Sequence, residues 1–136
     1  MSNKAVSRRF IELYAQQHDV EGCMQLFAET AVIHANTVPM PVNREGYKQV
    51  GYGFLAGFPD LTAEVIEQIE EGDQVVTRVL WSGTNTQAFN GMPATGKRFS
   101  APGVTIDRVE NGVITERWEL GDLLSMMQQL GLVPTP

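Results

Sequence analysis

Val113-Ile114-Thr115-Glu116-Arg117-Trp118-Glu119-Leu120-Gly121-Asp122 reads as a strand that carries carboxylates past a tryptophan and into the start of an apolar helix. Side chains of one parity share a strand face, so Glu116, Trp118 and Leu120 are expected to look one way, with Asp122 following them. Asp122 also stands where a helix N-cap belongs, ahead of an apolar run from Leu123 to Leu130 that ends near Gly131. One slipped residue would reverse the two faces: a bulge would turn Glu119 inward and leave Asp122 as the cap.

Working back from this strand, Leu61 to Glu70, Gln74 to Gly83 and Thr95 to Arg108 have the same extended texture. Glu71-Gly72-Asp73 and Glu110-Asn111-Gly112 supply tight turns, and Gly91 to Gly96 a longer, irregular loop. The first half reads differently. Apolar groups at Val6, Phe10, Leu13 and Tyr14 follow a helical stripe, and Asp19 caps a second helix that runs to about Ala28. A short extended piece, Ala31 to His34, precedes Pro39 and Pro41, which force an irregular stretch. Asn43 then opens a third helix bearing Tyr47, Val50 and Phe54, which closes at Gly57-Phe58-Pro59-Asp60. Helices first, sheet second and one short helix last predict a single α+β domain over residues 1–136. Its expected form is a cone-shaped roll, with N-terminal helices packed on a curved antiparallel sheet around a pocket.

Composition narrows the function. With 136 residues at 43% hydrophobic, the chain supports one core without staples. The net charge of −6, with scattered cations, argues against a nucleic-acid partner. Cys23 is alone in an apolar helix and reads as a small buried hydrophobe. His18 and His34 are the only histidines and lack ligand spacing, so no metal is expected. The glycine clusters match neither a dinucleotide fingerprint nor a phosphate loop, and there is no Gly-x-Ser-x-Gly elbow or His-Glu-x-x-His motif. No cofactor, no membrane partner and a cytoplasmic location are the resulting expectations.

Several pieces in order resemble the SnoaL-like polyketide cyclase and ester cyclase family, within the nuclear transport factor 2-like superfamily. They are Ala31-Val32-Ile33-His34, Gly57-Phe58-Pro59-Asp60-Leu61, Trp81-Ser82-Gly83-Thr84 and Asn90 to Lys97. Asp107 to Ile114, Glu116-x-Trp118, Asp122 and Gln128-Gln129-Leu130-Gly131 continue the pattern. The resemblance implies the cone-shaped fold, a homodimer paired through the sheet, and acid–base chemistry in which Asp122 matches the catalytic aspartate of the cyclases. Those cyclases add a histidine from the neighbouring strand; Val104 to Val109 here contains none.

The candidate catalytic set is therefore Asp122, His34, Arg108 and Glu119, with Asp122 as base and His34 or Arg108 stabilising an enolate oxygen. Tyr52, Phe54, Trp81, Met92 and Trp118 are the candidate substrate-binding residues of an apolar pocket. The reaction expected is a cofactor-independent lyase or isomerase step on a hydrophobic carbonyl compound. A non-catalytic small-molecule-binding protein of the same fold, or a related hydroxylase or hydrolase, are the alternatives.

Overall fold

Three helices in the first half of the chain form where polar side chains can close their first turns. In the computed structural model, which describes residues 1–136, α1 spans Asn3–Ile11 and Ser2 Oγ accepts the Ala5 N–H at 3.1 Å. It runs on as a π-helical turn, Glu12–Gln16, which buries Leu13, Tyr14 and Ala15. Helix α2 spans Val20–Met24, with Asp19 accepting the Gly22 N–H at 2.8 Å. Helix α3 spans Arg44–Gly57, with Asn43 accepting the Gly46 N–H at 2.8 Å.

The strands are β1 Phe27–Ala35, β2 Thr62–Glu71, β3 Gln74–Thr84, β4 Arg98–Glu110 and β5 Val113–Gly121. They form one sheet in the order β1-β5-β4-β3-β2, and Leu123–Gln129 follows as α4. The α+β architecture is the expected one, with two differences. The sheet is mixed, because β1 runs parallel to β5 while the other pairs are antiparallel. Strand β1 also begins at Phe27, inside the expected second helix. Burial of Phe27, Ala31, Ile33 and Ala35 along one face stabilises the extended form, and a helix of five residues gains little from propagation.

Strand β4 starts at Arg98 rather than Thr95. The side chain of buried Asn85 takes the Thr95 N–H at 2.9 Å and its backbone carbonyl takes the Gly96 N–H at 2.8 Å, so this segment is clasped outside the ladder. Between β4 and β5, Asn111 (φ 53°) and Gly112 (φ 79°) both lie in the left-handed region, as a two-residue type I′ turn requires.

The helices cover one face of the sheet, where Phe10, Ile11, Phe27, Phe58, Val75 and Val79 are all at most 3% exposed. Bulges at Ile66 in β2 and Thr115 in β5 interrupt the register and bend the strands around that core. Helix α4 docks against β4 through Gln129, which accepts the Ser100 N–H at 2.8 Å and donates to the Ser100 carbonyl at 2.9 Å.

Candidate active site

The bulge in β5 decides which carboxylate faces the helices. Arg108 pairs with Glu116, and Val109 pairs with Ile114, so Thr115 is the extra residue. Ile114 and Arg117, three apart, are consequently both fully buried. From there the parity is reversed: Arg117 and Glu119 look inward, while Glu116, Trp118 and Leu120 look outward, opposite to simple alternation from the buried Ile114.

Arg117 is the centre of a buried polar chain. Its Nε and Nη2 donate to the two oxygens of Asp107 at 2.7 and 2.9 Å, and Ser7 Oγ donates to the same carboxylate at 2.7 Å. Its Nη1 donates to Tyr47 Oη at 3.1 Å, and the Tyr47 hydroxyl in turn donates to Glu119 Oε1. The guanidinium also lies 3.9 Å from the centre of the Phe10 ring. Burial opposes its charge most strongly, yet Asp107, Tyr47 and Glu119 together hold Arg117 well above its ordinary range, so it remains a cation. Tyr47 is pushed well above the usual phenol value, first by burial and then by Glu119, so it stays a neutral donor.

Glu119 ends this chain and lines a cavity between the helices and the sheet. A quarter of its side-chain surface remains accessible. Desolvation raises its carboxyl above the ordinary value; the Arg117 charge and the Tyr47 hydrogen bond oppose that rise, while Asp107 adds to it. The net rise makes the carboxylate a stronger base than an ordinary glutamate.

The cavity encloses about 110 Å³, many times what a single water needs. Phe10, Tyr14, Phe54, Trp81, Phe99 and Met126 give it apolar walls. Tyr14 comes from the π-helical turn and is fixed by donating to the Gly51 carbonyl at 2.8 Å. Gly103 makes room for Trp81: a Cβ at that position would lie 3.0 Å from the indole nitrogen. Thr105 lies across the ladder from Glu119, on the same face, and its hydroxyl is buried without a hydrogen-bond partner. Thr37, Val50, Phe54, Leu123 and Met126 border both this cavity and an outer recess lined by Phe89, Met92 and Met127.

The expected site residues divide accordingly. Glu119, Phe54 and Trp81 line the cavity, and Met92 lines the outer recess. Asp122 also borders the cavity, but it is exposed and its Oδ1 accepts the Ser125 N–H at 3.0 Å as the α4 cap. His34, Arg108 and Trp118 meet one another on the opposite, outer face. The His34 and Trp118 rings stack at 5.2 Å, and His34 Nε2 and Arg108 Nη1 contact the two oxygens of Glu116 at 2.7 and 3.1 Å. The bulge at Thr115 puts Trp118 there, instead of in the cone; His34 pairs with Trp118 across the ladder, and Arg108 faces outward by the unbroken alternation of β4, whose inward residues are Thr105, Asp107 and Val109. Tyr52 is an exposed residue of α3 whose hydroxyl donates to Glu21 at 2.8 Å, because the helix turns it away from Tyr47 and Phe54.

Ser7, Tyr47, Thr105, Asp107 and Arg117 escaped the sequence reading as site residues. Tyr47 was visible as part of an apolar helical stripe, and Asp107 as an acid in the middle of a strand. Their partnership is set by tertiary contacts alone. No group of three or more His, Cys, Asp or Glu side chains is arranged to hold a metal ion. Cys23 lines the cavity as a buried thiol, pushed up to about 12 chiefly by desolvation. No helix is long and apolar enough to cross a membrane.

Known proteins share this architecture. Residues 4–130 match the family described as SnoaL-like polyketide cyclase, and the chain belongs to that family. A 74-residue stretch is 36% identical to aklanonic acid methyl ester cyclase DnrD from Streptomyces peucetius, covering 54% of this chain and 51% of that protein. The match therefore spans about half the length of that curated relative. Among solved structures, IdmH from Streptomyces antibioticus, a proposed polyketide cyclase, is 33% identical. It superposes with a TM-score of 0.85 over 96% of this chain and 99% of its own. AclR from Streptomyces galilaeus, a proposed hydroxylase, is 25% identical with a TM-score of 0.88 over 98% of this chain and 83% of its own.

Proposed function

We propose that the protein is a cofactor-independent cyclase or isomerase that moves a proton on a hydrophobic carbonyl compound, with Glu119 as the acid–base group. The observation that carries this reading is the Glu119 carboxyl: it lines an apolar cavity, desolvation raises it, and Tyr47 and Arg117 hold it from behind. In the proposed step the C–H bond α to the carbonyl breaks and its proton passes to a Glu119 oxygen. The electron pair forms an enolate. In a cyclase the enolate carbon then bonds to a second carbonyl carbon of the same molecule, and the resulting alkoxide recovers the proton. Trp81, Phe54 and Tyr14 exclude water and hold the ring, and Asp122 sits at the rim as cap of α4. The curated relative DnrD and the likeness to IdmH support a polyketide-like substrate.

Deuterium exchange at the α-carbon of 1-tetralone, an enolisable bicyclic ketone, tests the assignment. Glu119→Gln lowers the catalysed rate by about 100-fold or more, the range of a lost general base. Asp122→Asn, which retains a capping oxygen, changes it by less than about threefold. The reverse pattern transfers the role to Asp122, and no exchange by the native protein points to a binding protein instead. The likeness to AclR favours hydroxylation as a second reading, distinguished by incorporation of labelled dioxygen into product. A homodimer through the outer sheet face, where Trp118 and Leu120 lie, belongs to the same proposal and is tested by light scattering.

A further inference from the structure

Nearly every polar group that borders the cavity already has a protein partner. Tyr14 donates to Gly51, Tyr47 to Glu119, and the Asn36 side chain exchanges hydrogen bonds with Gly121 at 2.9 and 3.1 Å. Asp122 is occupied by its cap. Among fully buried side-chain atoms the hydroxyls of Thr105 and Thr37 are the exceptions, each with no partner. Thr37 belongs to a half-buried residue at the neck of the cavity, whereas Thr105 is 4% exposed on the inner face of β4. Thr105 is also the residue that faces Glu119 across the ladder. A buried hydroxyl without a partner is costly to folding, and valine would fill nearly the same volume without that cost. Its neighbours on the same face show how the strand treats other polar groups: Asp107 is fully engaged by Arg117 and Ser7.

We infer that Thr105 is a specificity-determining residue whose Oγ–H donates to a ligand oxygen beside Glu119, so that the cavity selects ketones over hydrocarbons of the same shape. The inference rests on the cavity being the binding site of the proposed function. A ring held by Trp81 and Phe54 would present its carbonyl oxygen to β4 and its α-carbon to Glu119 on β5. Strand neighbours directly opposite each other are close enough for one carbonyl and its adjacent carbon to reach both side chains. Thr105 acts by recognition of oxygen and Glu119 by transfer of the proton, which makes the two roles separable by measurement.

Titration calorimetry with 1-tetralone and with tetralin, which has the same rings and no oxygen, provides the test. The native protein binds the ketone more tightly. Thr105→Val weakens ketone binding about 2- to 10-fold, the worth of one hydrogen bond, and leaves tetralin binding unchanged or tighter. Thr105→Ser, which keeps the hydroxyl, retains the preference for the ketone. The Tm of Thr105→Val stays level or rises, because no protein hydrogen bond is lost. A native protein without preference for the ketone, a preference that survives Thr105→Val, or a marked drop in Tm for that variant would each overturn the inference. Glu119→Gln retains the ketone preference even as it abolishes α-deuterium exchange. Exchange that persists in Glu119→Gln thus refutes the acid–base assignment without touching Thr105.

Discussion

Strand β5 carries two polar clusters back to back, built from nearly the same ingredients. On the inner face a carboxylate, an arginine and aromatic rings meet as Glu119, Arg117, Tyr47 and Phe10. On the outer face they meet as Glu116, Arg108, Trp118 and His34. The inner arginine and its Asp107 partner have no accessible side-chain surface, whereas Arg108 and Glu116 retain 36% and 28%. Solvent screens the outer pair and leaves the inner one in a medium where each charge must be matched. Chemistry that needs a desolvated carboxyl therefore belongs to the inner face, although the outer cluster has the histidine and the tryptophan that look more catalytic in the sequence.

The largest expected contrast between the faces is in stability. Arg117→Met strands the Asp107 carboxylate in the core and costs about 3–5 kcal/mol in urea denaturation, as breaking a buried pair does. Should it cost under about 1 kcal/mol, the inner chain would be no more than a packed version of the outer one. Next is Tyr47→Phe, which keeps the ring but deletes two hydrogen bonds, one accepted from Arg117 and one donated to Glu119, at a cost of about 1–3 kcal/mol. Because the bond to Glu119 holds its carboxyl down, the loss moves the midpoint of the acidic limb of activity upward in pH. A midpoint that falls or stays level would mean that Tyr47 does not govern Glu119. The smallest effect belongs to the outer face: Arg108→Ala changes stability by about 0–1 kcal/mol and leaves α-deuterium exchange intact. A large loss of exchange there would place chemistry on the wrong side of the sheet.

Much of the fold was legible before the structure. The capping residues Asp19, Asn43 and Asp122, and the Asn111-Gly112 turn, act locally, and local chemistry is what a sequence displays. The parallel pairing of β1 with β5 was not legible, because partners about 90 positions apart leave no periodic trace. The site suffered most from one residue. Thr115 makes the bulge, nothing in its side chain announces it, and every assignment beyond it on β5 changes face. Trp118 is thus expected inside and lies outside, and Arg108 lies outside because the inward parity of β4 is that of Thr105, Asp107 and Val109; Arg117, which the sequence does not single out, is fully buried. A buried arginine becomes recognisable only when Asp107, Tyr47 and Phe10 are brought around it from three other elements.

The Glu119 carboxyl bears the whole account, and its titration in the ligand-free protein tests it most directly. Followed by the side-chain carboxyl carbon resonance, with Glu119→Gln to assign the signal, its midpoint is expected above the ordinary glutamate value of 4.5. Linkage fixes the sign of the accompanying stability change. The folded protein then holds a proton that the unfolded chain has released, so stability falls as pH rises from the unfolded to the folded midpoint and levels off above it. In Glu119→Gln that falling limb disappears. A midpoint at or below 4.5, with no such limb in the native protein, would contradict the claim that this cavity holds an acid–base group.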